Sequence, residues 1–128
     1  MKIRGIVKKN LGRGKDLGFP TANIEVPVSV EDGLYLAMTN SKFQISKTEK
    51  FPSLAFVGAA ETFGEKEKKL EVYILDFNRD LYGKEIEVQL LEKLRKNIKF
   101  NSQEELVSQM KDDEKAARKF FKTYGRTE

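Results

Sequence analysis

The sequence contains no cysteine and no histidine among its 128 residues. Their absence excludes disulfides, thiolate nucleophiles, most zinc sites and every catalytic arrangement that depends on an imidazole. A general base must then be an aspartate, a glutamate, a lysine of lowered pKa or, less readily, a tyrosine. This exclusion is the strongest statement that composition makes about mechanism.

Long apolar runs are also missing. No segment approaches the roughly 20 apolar residues that cross a bilayer, and Met1-Lys2-Ile3-Arg4 is not followed by the hydrophobic region of a signal peptide. We therefore expect a cytoplasmic protein with no membrane partner. Hydrophobic residues make up 39% of the chain and charged residues 34%, which predicts a single soluble domain over residues 1–128.

The net charge of +4 permits an anionic partner, and both nucleic acid and ATP are candidates. The lysines alternate with glutamates, as in Glu65-Lys66-Glu67-Lys68-Lys69, and they form no continuous basic stripe. A solvated surface of mixed charge explains this pattern better than a nucleic-acid site does. We therefore expect no nucleic-acid partner, and we expect a monomer.

Short strands separated by turns are predicted over residues 3–8, 23–26, 34–39, 43–45, 54–57 and 69–77. Beyond them, Ile86, Val88 and Leu90 alternate with two glutamates and a glutamine (Glu85, Glu87, Gln89), which indicates a half-buried strand whose polar residues face outward. Many short strands before one helix are typical of a small antiparallel barrel or sandwich with the helix packed on it.

The helix is predicted at the end of the chain. Ser102 and Glu105 have the spacing of a capping box, in which each side chain accepts a hydrogen bond from the first turn. Apolar residues then recur at helical spacing and should pack against the sheet: Leu106, Met110, Ala117, Phe120 and Phe121. Gly125 is the predicted end of the helix.

The segment from Gly12 to Asn23, GRGKDLGFPTAN, is the most informative part of the chain. Its closely spaced glycines let backbone N–H groups approach an anion, and Lys15 adds a positive charge suited to phosphate. Thr21 and Asn23 carry neutral oxygens of the kind that Mg²⁺ accepts, and their side chains point the same way on an extended segment. A tight connection between two strands is the alternative interpretation.

Two common phosphate-binding patterns do not fit this segment. A P-loop requires Gly-Lys followed by Ser or Thr, and no such run occurs. The dinucleotide fingerprint requires shorter glycine spacing and a following helix, whereas Pro20 biases Phe19 away from helical geometry.

The order Leu17-Gly18-Phe19-Pro20-Thr21-Ala22-Asn23 resembles the riboflavin kinase family, whose members make FMN from riboflavin and ATP. Further likenesses follow in family order: Asp32-Gly33-Leu34-Tyr35, LEVYI at 70–74, Asp80-Leu81-Tyr82-Gly83, and Leu94-Arg95 before Lys99-Phe100-Asn101-Ser102. The resemblance implies a mostly β fold, a six-stranded antiparallel Greek-key β-barrel with a C-terminal α-helix. It also implies an ATP:riboflavin 5′-phosphotransferase that requires Mg²⁺, binds riboflavin/FMN and ATP/ADP, and forms no covalent enzyme intermediate.

The resemblance also assigns nucleotide and metal residues. Gly12, Gly14 and Lys15 match the loop that binds the phosphates, and Thr21 and Asn23 match ligands of both phosphate and Mg²⁺. Hydrogen bonding of the turn by Thr21 and Asn23 is the alternative. Further nucleotide contacts are implied at Ile74, Asp76 and Tyr82, although Ile74 and Tyr82 are equally suited to a core.

The same resemblance assigns the base and the flavin residues. Glu71 matches the catalytic glutamate, and it stands in an otherwise apolar strand, on one face with Tyr73, Leu75 and Phe77, where partial burial would raise its pKa. An exposed glutamate on an edge strand is the alternative. Arg95 and Phe100 match the segment that closes over the flavin, although Phe100 is equally suited to anchor the helix. Lys96-Asn97-Ile98-Lys99 differs from the proline- and acid-containing run usual in the family.

Two other functions are compatible with this sequence. The first is a non-catalytic flavin- or nucleotide-binding regulatory module of the same fold. The second is a basic barrel that binds RNA or single-stranded DNA through aromatic residues on a strand face.

Overall fold

The computed structural model describes residues 1–8, 21–41, 49–59, 67–77 and 81–124. In chain order these segments contain the following elements: β1 (Lys2–Ile6), β2 (Ala22–Ile24), β3 (Gly33–Ser41), β4 (Glu49–Gly58), β5 (Lys69–Ile74), β6 (Glu85–Arg95) and α1 (Gln103–Thr123). The strand predicted at 43–45 and the helix end predicted at Gly125 lie outside the described residues.

The six strands form one antiparallel sheet in the order β1-β6-β3-β4-β5-β2. The backbone N–H of Lys8, just beyond β1, donates to the carbonyl of Asn23 on β2 at 2.8 Å. This bridge joins the two ends of the sheet and nearly closes it into a barrel. The predicted six-stranded antiparallel Greek-key barrel with one C-terminal helix is confirmed.

The barrel carries one core inside and a second core between its outer surface and α1. Alternate side chains of a strand point to opposite faces, so β4 sends Ala55 and Val57 inward and Leu54 and Phe56 towards the helix. The inner core also contains Leu70, Val72, Ile74, Ile86 and Val88. The outer core contains Leu34, Leu36, Leu54, Leu75 and Ala117, with Phe120 and Phe121 packed against them.

The start of α1 follows the predicted capping pattern with one change. Ser102 Oγ accepts a hydrogen bond from the backbone N–H of Glu105 at 3.1 Å. Glu105 Oε1 accepts from the N–H of Asn101 at 3.2 Å, where the usual capping box would use Ser102. At the other end the N–H of Tyr124 donates to the carbonyl of Phe120. No helix of the described segments is long and apolar enough to cross a membrane.

β5 ends three residues earlier than the sequence predicts. Leu75 and Asp76 form a turn in which Asp76 has a φ of 57°, a left-handed conformation that aspartate tolerates better than most residues. Because the strand stops at Ile74, Phe77 packs against the inner core. The prediction that Phe77 shares the face of Glu71 is therefore wrong, whereas Tyr73 and Leu75 do belong to the outer core.

Glu87 on β6 points away from the barrel interior as predicted, but it is only 5% exposed. Arg4 Nε on β1 donates to its Oε2 at 2.6 Å, and Asn40 Nδ2 on β3 donates to its Oε1 at 3.2 Å. The hydrogen bond from Arg4 holds the pKa of Glu87 below its usual range. Alternation along the strand gives the direction of a side chain, whereas neighbouring strands determine its burial.

Candidate active site

Asn23 on β2 and Glu71 on β5 lie directly opposite each other in the antiparallel ladder. Opposite residues of such a pair share one face of the sheet, with Cβ atoms about 4.5–5.5 Å apart. Two residues that the sequence places 48 positions apart (71 − 23) are therefore neighbours.

This pair belongs to a row of residues that crosses five strands. Glu71 faces Phe56 on β4, and Phe56 faces Leu34 on β3. Leu34 in turn faces Arg95 at the end of β6. We call Asn23, Glu71, Phe56, Leu34 and Arg95 the cross-strand row. Strands lie about 4.8 Å apart, so three strand spacings separate Glu71 from Arg95 by about 14 Å along the sheet.

Asn23 offers a buried side-chain oxygen. The residue is 7% exposed, and its Oδ1 accepts no hydrogen bond from the residues that the structure describes. A buried acceptor without a partner is costly, so Oδ1 is a candidate ligand atom. Thr21 lies immediately before β2 and is partly buried. Within the described segments no cluster of three acidic residues could hold a metal ion.

Glu71 is partly buried on the outer face of β5, while its neighbours Leu70 and Val72 are 0% and 1% exposed inside the barrel. In the ladder it lies between the ring of Phe56 and the amide of Asn23. Neither of these cross-strand neighbours carries a charge. Glu71 therefore lies across the ladder from a neutral amide on one side and from an apolar ring on the other.

Asp76 is held by an arginine of the helix. Arg118 Nη1 and Nη2 donate to its two carboxylate oxygens at 3.0 and 2.9 Å, and Arg118 Nε donates to Glu114 Oε2 at 2.9 Å. These hydrogen bonds keep the pKa of Asp76 below its usual range. The hydroxyl of Tyr73 donates to Glu114 Oε1 at 3.1 Å, and burial, followed by Glu114, raises the pKa of Tyr73. The turn after β5 is thus fixed to α1.

The other two predicted nucleotide contacts have opposite environments. Ile74 is 5% exposed and belongs to the inner core, as its alternative interpretation predicted. Tyr82 is 61% exposed, and the alternative that it belongs to a core is wrong. Gly12, Gly14 and Lys15 lie outside the described residues.

Arg95, the predicted flavin residue at the end of the row, forms an ion pair with α1. Its Nε donates to Asp113 Oδ1 at 3.0 Å and its Nη2 to Asp113 Oδ2 at 2.7 Å. Nη1 donates to the carbonyl of Lys96 at 3.0 Å. Phe100 is partly buried in the segment between β6 and α1. Asn97 fixes this segment to β4, because its Nδ2 donates to the carbonyl of Val57 at 2.9 Å.

Asp113 is the residue that the sequence analysis missed. It is 4% exposed, and it occupies a position of the helical stripe that is otherwise apolar, between Met110 and Ala117. An acidic residue at helical spacing within an apolar stripe was the available signal. The sequence does not indicate its partner, because Arg95 reaches it only through the packing of α1 on the sheet.

The sequence matches a family model and several curated proteins. The family model described as riboflavin kinase (flavokinase) matches residues 1–121. The bifunctional riboflavin kinase/FMN adenylyltransferase of Listeria monocytogenes is 39% identical over 121 residues, 92% of this chain and 37% of the relative. The RNA-binding riboflavin kinase RibR of Bacillus subtilis is 36% identical over 127 residues, 96% of this chain and 52% of the relative.

A solved structure that is also described as a riboflavin kinase has a similar fold. The crystal structure of riboflavin kinase from Trypanosoma brucei superposes with a TM-score of 0.68 at 25% identity, covering 96% of this chain and 78% of that one. The chain therefore spans most of this structure but only 37% and 52% of the lengths of the two curated relatives.

Proposed function

Since this chain belongs to the riboflavin kinase family, we propose that it transfers the γ-phosphoryl group of ATP to the 5′-hydroxyl of riboflavin, giving FMN and ADP. The pairing of Asn23 with Glu71 across β2 and β5 is the observation that carries this proposal. It brings a candidate ligand of the phosphate-bound metal next to a candidate proton acceptor. Phosphoryl transfer needs both groups at one place, because positioning and charge stabilisation supply most of its catalysis.

In this proposal Glu71 is the general base. It removes the proton of the 5′-hydroxyl while that oxygen bonds to the γ-phosphorus and the bond to the ADP oxygen breaks. Two other carboxylates are less suitable, because arginines hold the pKa of Asp76 and of Glu87 below the usual range. A carboxylate of lowered pKa is a weaker proton acceptor. Glu71 faces an apolar ring and an amide across the neighbouring strands, which favours its role.

The residues present fit a magnesium ion that arrives with the nucleotide. Asn23 Oδ1 is a buried neutral oxygen that accepts no hydrogen bond from any described residue, and Thr21 is two residues away. Mg²⁺ is commonly bound by few protein ligands together with phosphate oxygens and water. When bound, it would share the negative charge that develops on the phosphoryl oxygens. Neutral protein ligands leave most of the ion's charge available for that task.

A single assay tests the proposal. The chain is incubated with riboflavin, ATP and Mg²⁺, and the flavins are separated by chromatography while ADP is measured in parallel. We expect FMN and ADP in equal amounts, and no FMN without Mg²⁺. Tight binding of riboflavin without any FMN would instead support the non-catalytic flavin-binding module. Absence of both binding and turnover would contradict the proposal.

We further propose that nucleic acid is not a ligand of this chain. The name RNA-binding belongs to the Bacillus subtilis relative, of which this chain spans 52%. A titration with labelled oligonucleotide at two salt concentrations tests this point, because binding to phosphates weakens steeply as salt rises. Salt-dependent binding at micromolar concentration would contradict the proposal.

A further inference from the structure

The solvent-exposed face of α1 carries a line of four lysines. Lys111, Lys115, Lys119 and Lys122 follow one another at spacings of four, four and three residues, which places them on one face of a helix. All four are exposed. We call these four residues the basic stripe; at about 1.5 Å per residue it is about 16 Å long. The prediction that the lysines form no continuous basic stripe is therefore wrong for α1.

The charges of the basic stripe are not neutralised by neighbours. Within the described part of the chain none of its lysines forms an ion pair, and the sequence has no acidic residue from Lys115 to Tyr124. The helix dipole favours cations, but only within the last turn of a helix. Lys111 and Lys115 lie more than two turns before the end of α1 at Thr123, so the dipole does not explain them.

The C-terminal half of α1 is fixed to the end of the sheet where β5 stops. The hydroxyl of Tyr73 on β5 donates to Glu114 at 3.1 Å. Arg118 donates to both carboxylate oxygens of Asp76 in the turn after β5. Each of these two helix residues is next in sequence to a lysine of the basic stripe. The stripe therefore lies at this end of the sheet.

The site proposed for the metal and the phosphates lies at the same end. β2 is antiparallel to β5, with Ala22 opposite Val72, so Thr21, which directly precedes Ala22, lies at the level of Tyr73. Glu71 is two residues before Tyr73 on the same face, about 7 Å along the strand. The basic stripe is thus close to the proposed site without being part of it.

The two proposed substrates differ in charge. The triphosphate of ATP remains negative when Mg²⁺ is bound, whereas riboflavin is uncharged at neutral pH. A surface of one charge raises the association rate of an oppositely charged ligand by roughly 10–10³-fold, and salt weakens this effect. Exposed charges act over about 30 Å at 0.01 M salt and about 10 Å at 0.1 M. The basic stripe should therefore attract one substrate and not the other, most strongly at low salt.

We propose that the basic stripe of α1 steers MgATP to the site beside Thr21 and Asn23 and so raises its rate of association. The inference rests on the proposed function and adds residues outside the motifs. These lysines act on the approach of the nucleotide and not on the chemical step. Riboflavin, which is neutral, associates at a rate that does not depend on them.

The test is the association rate of each substrate in a variant with Lys115→Gln, Lys119→Gln and Lys122→Gln combined. Stopped-flow fluorescence follows MgATP that carries a fluorescent label on its ribose, and quenching of flavin fluorescence follows riboflavin. At 0.01 M salt we expect MgATP to associate about tenfold more slowly, with an unchanged dissociation rate, and riboflavin to associate as in the wild type. The difference should shrink as salt rises to 0.15 M.

The matched control replaces the same three lysines by arginine, which keeps the charge, and should retain the wild-type association rate. All three positions are exposed, so both variants should fold with little change in stability. A loss of rate in the arginine variant equal to that in the glutamine variant would overturn the inference, because charge would not be its cause.

Further outcomes would also overturn the inference. A wild-type MgATP association rate in the glutamine variant at low salt would overturn it and leave the proposed function intact. An equal slowing of riboflavin would show a structural effect only. A labelled oligonucleotide that binds the wild type and not the glutamine variant would assign the basic stripe to nucleic acid instead. A wild-type protein that does not bind MgATP would overturn both proposals.

Discussion

Glu71 and Glu87 are both glutamates on the outer side of the barrel, and each is paired with a residue of the neighbouring strand on either side. Glu71 has a phenyl ring on one side and an amide on the other, from Phe56 and Asn23. It is partly buried and lies opposite Asn23, whose side-chain oxygen accepts no hydrogen bond from the described part of the chain.

Glu87 has Arg4 on one side and Asn40 on the other, and both donate hydrogen bonds to its carboxylate. It is more deeply buried than Glu71, and Arg4 holds it ionised by lowering its pKa. The cross-strand neighbours of the two glutamates therefore differ. An arginine and an asparagine make Glu87 a structural hydrogen-bond acceptor, whereas the cross-strand neighbours of Glu71 carry no charge.

The largest expected effect distinguishes the two glutamates by turnover. Glu71→Gln should slow FMN formation by roughly 10²–10⁴-fold, the usual loss when a general base is removed, and should leave MgATP binding largely intact. Glu87→Gln is the matched control and should retain the wild-type rate per folded molecule. Steady-state assays of both variants measure this. Wild-type turnover in Glu71→Gln would show that another residue is the general base.

The next effect compares two asparagines, Asn23 and Asn40, whose side-chain oxygens accept no hydrogen bond within the described segments. Asn23→Ala should weaken Mg²⁺-dependent nucleotide binding by roughly 10–100-fold, because a contact to a charged group is lost. Asn40→Ala removes a similar amide beside Glu87 and should leave that binding unchanged. Calorimetry with ATP at several Mg²⁺ concentrations measures the difference. Equal effects of the two substitutions would show that Asn23 is not a ligand of the metal. Thr21→Ala should act in the same direction as Asn23→Ala.

A smaller effect is expected on stability. Glu87→Gln should lower the free energy of unfolding by about 1–2 kcal/mol, because charge-assisted hydrogen bonds at a buried site are weakened. Glu85→Gln, at an exposed position of the same strand, should change it by less than about 0.5 kcal/mol. Urea unfolding at pH 7 measures both changes. A larger loss of stability in Glu85→Gln than in Glu87→Gln would contradict this prediction.

The smallest effect is a pH dependence of that difference. The folded pKa of Glu87 lies below its ordinary value of 4.5, so its ionisation stabilises the folded state above that value. This contribution is lost as the pH falls through the lowered pKa of the folded state. The stability difference between the wild type and Glu87→Gln should therefore be full at pH 7 and shrink below about pH 4. A constant difference in urea unfolding over this range would show that charge is not its cause.

Much of the fold could be predicted from local patterns. The strands and the helix start follow from alternation, turn residues and the Ser102–Glu105 cap, each of which depends on residues a few positions apart. The end of β5 could not be predicted from local patterns. It depends on Asp76, an exposed residue that adopts a left-handed conformation and accepts hydrogen bonds from Arg118 of the helix. The burial of Glu87 likewise depends on partners 83 and 47 positions away in the chain.

In the candidate site, too, local patterns predict some features, whereas others depend on residues far away in the chain. Thr21, Asn23 and Glu71 were named from a motif and from one carboxylate in an apolar strand, and their roles stay predictions. That Asn23 and Glu71 lie opposite each other depends on the register of β2 against β5, which no local pattern gives. The pairing of Asp113 with Arg95 could not be predicted either, because it depends on how α1 packs against the sheet.

The proposed placement of a metal ion beside Asn23, across from Glu71, can be tested directly by NMR. Mn²⁺ replaces Mg²⁺ in the presence of ADP, and paramagnetic broadening is recorded for side-chain amides and backbone amides. We expect the side-chain amide of Asn23 and the backbone amide of Glu71 to broaden strongly, while those of Asn40 and Glu87 stay sharp. Broadening that spares Asn23 and Glu71 would contradict the account.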